Sequence, residues 1–124
     1  MEKRTKTILT KYPQYSVFSG SPATCSHHLC FGRYGAWRTL SEKFGLHIPL
    51  TDAEHNMSSK GTINQIHGNP AAEKLSKMLG QVAFEEHYLA ERLASDENLG
   101  HQSAEDWMDE AREEFRRIFG ESFL

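Results

Sequence analysis

The sequence predicts a small α+β protein, and two observations carry that prediction. Short runs of β-branched and aromatic residues, bounded by Gly and Pro, fall between residues 15 and 50. Apolar residues then recur at helical spacing through the second half of the chain. At 124 residues the chain has the size of one domain and can bury a core without disulfide or metal staples. The expectation is a single domain over residues 1–124, with a mixed part at about 15–69 and a helical part at about 70–124.

In chain order, residues 15–19 (YSVFS) read as a short strand, and the Gly-Ser-Pro that follows reads as a turn. A second strand is expected over 23–29. Residues 31–35 (FGRYG) are loop-like, and AWRTLSEKF is a short helix with Gly45 as its C-terminal stop. LHIPL reads as a strand whose Pro49 places it at an edge or end. Thr51 or Asp52 caps a short helix over AEHNM. Asn69-Pro70 opens a long helix, with Asn as cap and Pro at the first helical position. Its stripe of Leu75, Met78, Leu79, Val82, Leu89 and Leu93 is assigned to the core, and Gly80 weakens the helix without breaking it. Ser103 and Asp106 resemble a capping pair for a last helix. That helix buries Trp107, Met108, Ala111, Phe115, Ile118 and Phe119 and ends at Gly120.

Composition excludes some functions. The net charge of −3 argues against coating nucleic acid by bulk charge, but leaves room for a local basic face. Lys3, Arg4, Lys6 and Lys11 gather at the N-terminal end, whereas residues 85–114 are acidic. Such a distribution suits a surface that meets phosphate on one side only. No apolar run approaches the length of a membrane helix, and the N-terminal residues lack the apolar stretch of a signal peptide, so a cytoplasmic protein without membrane contact is expected.

The stretch TCSHHLCFG holds both cysteines and two adjacent histidines, four potential metal ligands between Cys25 and Cys30. Adjacent strand residues point to opposite faces, so His27 and His28 cannot share one metal on a regular strand; a bulge would be needed to turn both inward. The same alternation separates Cys25 and His27 from His28 and Cys30, which argues against a compact zinc site built from these four. His55 and His67 also fall in the non-periodic middle of the chain, where functional residues concentrate. His47, His87 and His101 read as solvated side chains.

The order HH, FG, RTLSEKFGLHIPL, DAEHN and IHGN, with the tail REEFRRIFGESFL, resembles the HNH endonucleases, in particular a small phage- and prophage-encoded group. The likeness covers about residues 15–85 and the tail. It implies a ββα-metal (HNH or His-Me finger) core with additional C-terminal helices. It also implies metal-dependent hydrolysis of nucleic-acid phosphodiester bonds, with one Mg²⁺ or Mn²⁺ ion. His27 and His55 then match metal ligands and His67 a further one; His28 matches the general base, and Asn56 the asparagine beside the helix histidine. The residue types suit that chemistry. Histidine titrates near neutrality, and a divalent ion stabilises charge on the scissile phosphate. Arg33, Arg38, Lys43 and Lys60 are candidates for holding neighbouring phosphates.

The sequence also departs from that pattern. Ser16, Ser19, Thr51 and Glu54 stand where the family carries two cysteine pairs around a structural zinc, so that zinc is expected to be absent. Trp37 replaces an expected Asn and Thr39 an expected Lys. These departures point to the alternative of a catalytically inactive HNH-like module that binds nucleic acid, most readily DNA, or a phage or host protein.

Overall fold

The computed structural model describes residues 5–55, 66, 69–95 and 104–124. The sheet has two antiparallel strands, β1 (Cys25–His28) and β2 (His47–Leu50). Between them run a 3-10 turn and helix α1 (Ala36–Phe44). Helices α2 (Asp52–His55), α3 (Pro70–Ser95) and α4 (Ala104–Phe119) follow. This is the expected α+β architecture: a two-stranded sheet with short flanking helices, then two further helices. The register pairs Cys25 with Leu50, Ser26 with Pro49, His27 with Ile48 and His28 with His47.

Residues 15–19 do not form the expected strand. They make a tight turn in which Ser16 N donates to Ser21 O and Gly20 N donates to Ser16 O, leaving one isolated bridge between Tyr15 and Pro22. The turn is tied to the sheet where Val17 N donates to Pro49 O at 3.1 Å.

Helix α1 matches its expected span, and Gly45 ends it in the left-handed region at φ 71°. Leu46 N donates to Ser41 O at 2.8 Å, closing the last turn. A side chain at Gly45 would also collide with the N-terminal segment, since a Cβ there would lie 2.4 Å from Lys6 O. The cap of α2 is a capping box: Glu54 N donates to Thr51 Oγ1, and Thr51 N donates back to Glu54 Oε1 at 2.8 Å. For α3, Asn69 Oδ1 accepts from Ala72 N, the N-cap that Asn69-Pro70 predicts.

The face that α3 buries differs from the expected one. Leu75, Leu79, Val82 and Leu93 are exposed, whereas Ser76, Gly80, Gln81 and Phe84 are buried. The reason is a close approach. A Cβ on Gly80 would stand 2.8 Å from Cys30 Sγ and 3.0 Å from Leu29 Cβ, so only glycine lets the helix lie this near the end of β1. Ser76 and Gln81 then enter the interior with their polar atoms satisfied. Ser76 Oγ donates to Leu29 O, and Gln81 donates to Glu85 and Ser122 while accepting from Phe123 N. Helix α4 buries Trp107, Ala111, Phe115 and Phe119, every fourth residue, while Met108 is exposed. Phe115 stacks on Phe119 at 4.3 Å and meets Phe84 edge-on at 5.4 Å. Each such ring contributes roughly 1.5–3 kcal/mol through removal from water.

One core joins both parts of the chain. Leu29, Cys30, Trp37, Leu46, Ile48, Leu50 and Ile66 share a cluster with Phe84, Phe115 and Phe119. Trp37 closes it: its indole Nε1 donates to Phe119 O at 2.8 Å, and its ring meets Phe123 at 5.1 Å. Arg33 joins Glu121 at 3.1 Å on the outside of the same contact.

Candidate functional site

The regular ladder of β1 sends the histidine doublet to opposite faces of the sheet. His27 points inward and is buried. Its ring lies 5.0 Å from that of His55, at the end of α2, and 5.5 Å from Phe31. His27 Nε2 is 2.7 Å from Ser76 Oγ, and that hydroxyl gives its own hydrogen to Leu29 O. His27 therefore carries its proton on Nε2 and donates it to Ser76.

His28 occupies the other face. Its Nε2 donates to Glu42 Oε2 of α1 at 3.0 Å. Cross-strand His47 sits beside it, with ring centroids 5.8 Å apart, and His47 Nε2 is 3.6 Å from the same carboxylate oxygen. His47 is buried rather than solvated. Its Nε2 donates to Thr5 O at 2.8 Å, so its Nδ1 accepts from Ser26 Oγ at 3.2 Å. Burial holds the His28 pKa below its ordinary value, outweighing the opposite pull of Glu42.

The sheet thus lies between His28 and the His27–His55 pair. A base on one face cannot deliver a water to a phosphate held on the other. Among the described residues no group of three or more His, Cys, Asp or Glu side chains is placed to hold a metal ion. This corrects the expectation of a Mg²⁺ or Mn²⁺ cofactor and, with it, that of a metal-dependent endonuclease. His67, Asn56 and Lys60 lie outside the described residues.

The four residues at the family's zinc positions do meet. Ser16 Oγ donates to Glu54 Oε1 at 2.6 Å and accepts from Phe18 N and Ser19 N, while Thr51 N donates to the same Glu54 oxygen. Partial burial raises the carboxyl pKa of Glu54, but the donors from Ser16, Thr51 and Ser19 outweigh it and hold the group below the ordinary carboxylate range. A carboxylate surrounded by hydroxyls and amides joins the turn to α2.

The cysteines stand apart. Cys25 Sγ donates to Leu50 O on the His27 face, and Cys30 is buried against Gly80. Burial pushes the Cys30 thiol up to about 12 and also raises that of Cys25, where Asp52 adds to the effect. Both thiols are held protonated at neutral pH.

The basic candidates spread out. Arg33 lies over the Trp37 ring at 5.3 Å, Lys43 over Phe44 at 5.4 Å, and Arg38 is exposed. A concavity lies elsewhere, on the His28 face. It is a groove of about 590 Å³ between the sheet and the N-terminal segment. Lys6 and Lys11 line it with Thr5, Thr7, Thr10, Thr24, Ser26 and His47, and none of its described lining residues is acidic. Neither lysine is ion-paired among the described residues. Sequence reading missed Glu42, His47 and Ser76, although His47 follows from His28 once 25–28 and 47–50 are paired antiparallel. The charge asymmetry of the chain had pointed to the lysines as a group.

No family model, curated protein or solved structure matches the chain. The phage and HNH assignment, and the nuclease, hydrolase, metal-binding and DNA-binding properties taken from it, therefore have no support in comparison with known proteins. The architecture is compatible with a ββα-type core carrying a His/Glu cluster. No described helix is long and apolar enough to cross a membrane.

Proposed function

We propose that this chain is a non-catalytic nucleic-acid-binding module on a ββα-like scaffold similar to that of HNH proteins. The observation that carries this reading is the groove beside β1 and β2. Two lysines, five hydroxyl side chains and a buried imidazole face a concavity with no carboxylate among its described lining residues. Phosphate oxygens need such a set: ammonium groups for charge, and hydroxyls for neutral hydrogen bonds. The acidic second half of the chain repels a polyanion and leaves this face as the approach.

Fluorescence anisotropy with labelled oligonucleotides tests the reading. Binding is expected at low salt, falling linearly in log–log form as salt rises. The double variant Lys6→Ala/Lys11→Ala should flatten that slope by roughly 1.4, about 0.7 for each phosphate contact to a single strand. The oligonucleotide should be recovered intact with or without added divalent ions. No binding at low salt, or an unchanged slope in the double variant, refutes the proposal.

A further inference from the structure

Beside the lysine groove lies a second depression, of about 330 Å³, lined by Thr10, Tyr12, Tyr15, Ser16, Val17 and Gly20. Thr10 lines both, so the two adjoin at that residue. Tyr12 and Tyr15 of its lining, and Phe18 of the same turn, stand out into solvent. Tyr12 is 65% exposed, Tyr15 48% and Phe18 58%. Rings of this size are normally buried at least in part, and three within seven residues form a patch rather than a scatter.

Their backbone is held firmly. Tyr15 N donates to Tyr12 O, Val17 N to Pro49 O, and Phe18 N to Ser16 Oγ, which in turn reaches Glu54. The segment from 12 to 18 is therefore a braced turn carrying rings outward, and little order remains to be imposed when a flat ligand arrives.

We propose that this surface binds single-stranded nucleic acid in preference to duplex, with bases stacking on Tyr12, Tyr15 and Phe18 while Lys6 and Lys11 hold the backbone of the same strand. The inference rests on the nucleic-acid reading above and adds the strandedness of the ligand and the residues that select it. A duplex keeps its base faces inside the stack and offers exposed rings nothing to lie on. An open strand offers a π-face at every nucleotide, and alternating rings and cations along one track suit it. Stacking is indifferent to the sugar, so the shared chemistry is that of a ribose or a deoxyribose strand.

The test is an anisotropy titration of the full chain with labelled oligothymidylate, oligouridylate and a mixed-sequence duplex, each roughly a dozen nucleotides long. Either single strand should bind at least about tenfold more tightly than the duplex, and the two sugars identify which strand is preferred. Tyr12→Ala and Phe18→Ala should each weaken single-strand binding about tenfold while leaving duplex binding unchanged. Should an alanine variant misfold, Tyr12→Ser and Phe18→Ser at the same exposed positions serve instead, with circular dichroism as the check. Equal or tighter duplex binding overturns the inference, as does single-strand affinity that survives loss of the rings. In either case a reduced salt slope in the lysine variant would leave the nucleic-acid reading standing. Absence of binding to all three probes overturns both.

Discussion

Single residues in this fold act through the partners their neighbours leave them. Glu54 collects donors from Ser16 and from Thr51 N, and its carboxyl titrates below the ordinary range. Its stabilising effect is complete above the unfolded-state pKa and is lost as pH falls through the lower folded value. Glu54→Gln should cost about 1–3 kcal/mol at neutral pH. It should also flatten the decline in urea stability between neutral and acid pH, and an equally steep decline in the variant would contradict this role. His28 works with the same sign for a different reason. Burial keeps its folded pKa below about 6.5, the ordinary value, so stability falls as pH drops below that value and the unfolded chain takes up the proton first. Glu42 pulls the other way, so Glu42→Gln should lower the His28 titration midpoint further when followed by imidazole NMR. A rise in that midpoint would show that the 3.0 Å contact is not formed in solution.

At the scale of elements, α3 shows how much was legible in the sequence. Asn69-Pro70 marked its start, and periodicity marked its helical state. Its rotation was not legible, because the deciding contact is between a glycine and the distant Leu29–Cys30 backbone. Hydrophobic patterning ranks Leu above Gly, whereas close approach reverses that order at one position. Gly80→Ala should therefore destabilise by about 1–3 kcal/mol through overpacking, despite the roughly 1 kcal/mol by which alanine favours a helix. Leu79→Lys and Val82→Lys should each change stability by less than about 0.5 kcal/mol, as exposed positions do. Phe84→Ala should cost about 3–5 kcal/mol. Chemical denaturation of the four variants checks the whole set, and a large loss at Leu79 would reject the observed rotation. The short helix α1 was fully legible because its limits are local: two glycines in the left-handed region bracket it. The expected strand at 15–19 failed because a glycine at φ 75° folds the segment back into a turn, a tight reversal that the run of β-forming residues does not reveal. For the candidate site, alternation along β1 correctly separated His27 from His28. The ladder that aligns His47 with His28 spans nineteen positions and needs both strands placed first.

For the whole molecule, we propose that the mixed and helical parts unfold as one unit, because Leu29, Trp37 and Leu50 share a cluster with Phe84, Phe115 and Phe119. Tryptophan fluorescence and far-ultraviolet circular dichroism should then give coincident urea transitions, and separated midpoints would show two units. Trp37→Phe removes the donor to Phe119 O and part of a buried ring, so both probes, with Trp107 as the remaining tryptophan, should shift together, by about 2–4 kcal/mol. The lock between Trp37, Gln81 and the segment from Phe119 to Phe123 also governs the order of events at the ribosome. During vectorial synthesis the strands and first helix emerge early, with the indole of Trp37 and the amide of Gln81 still lacking their mates. The segment from Phe119 to Phe123 must leave the exit tunnel before both are satisfied, so the earlier elements pass through a period of exposure in which chaperones can act.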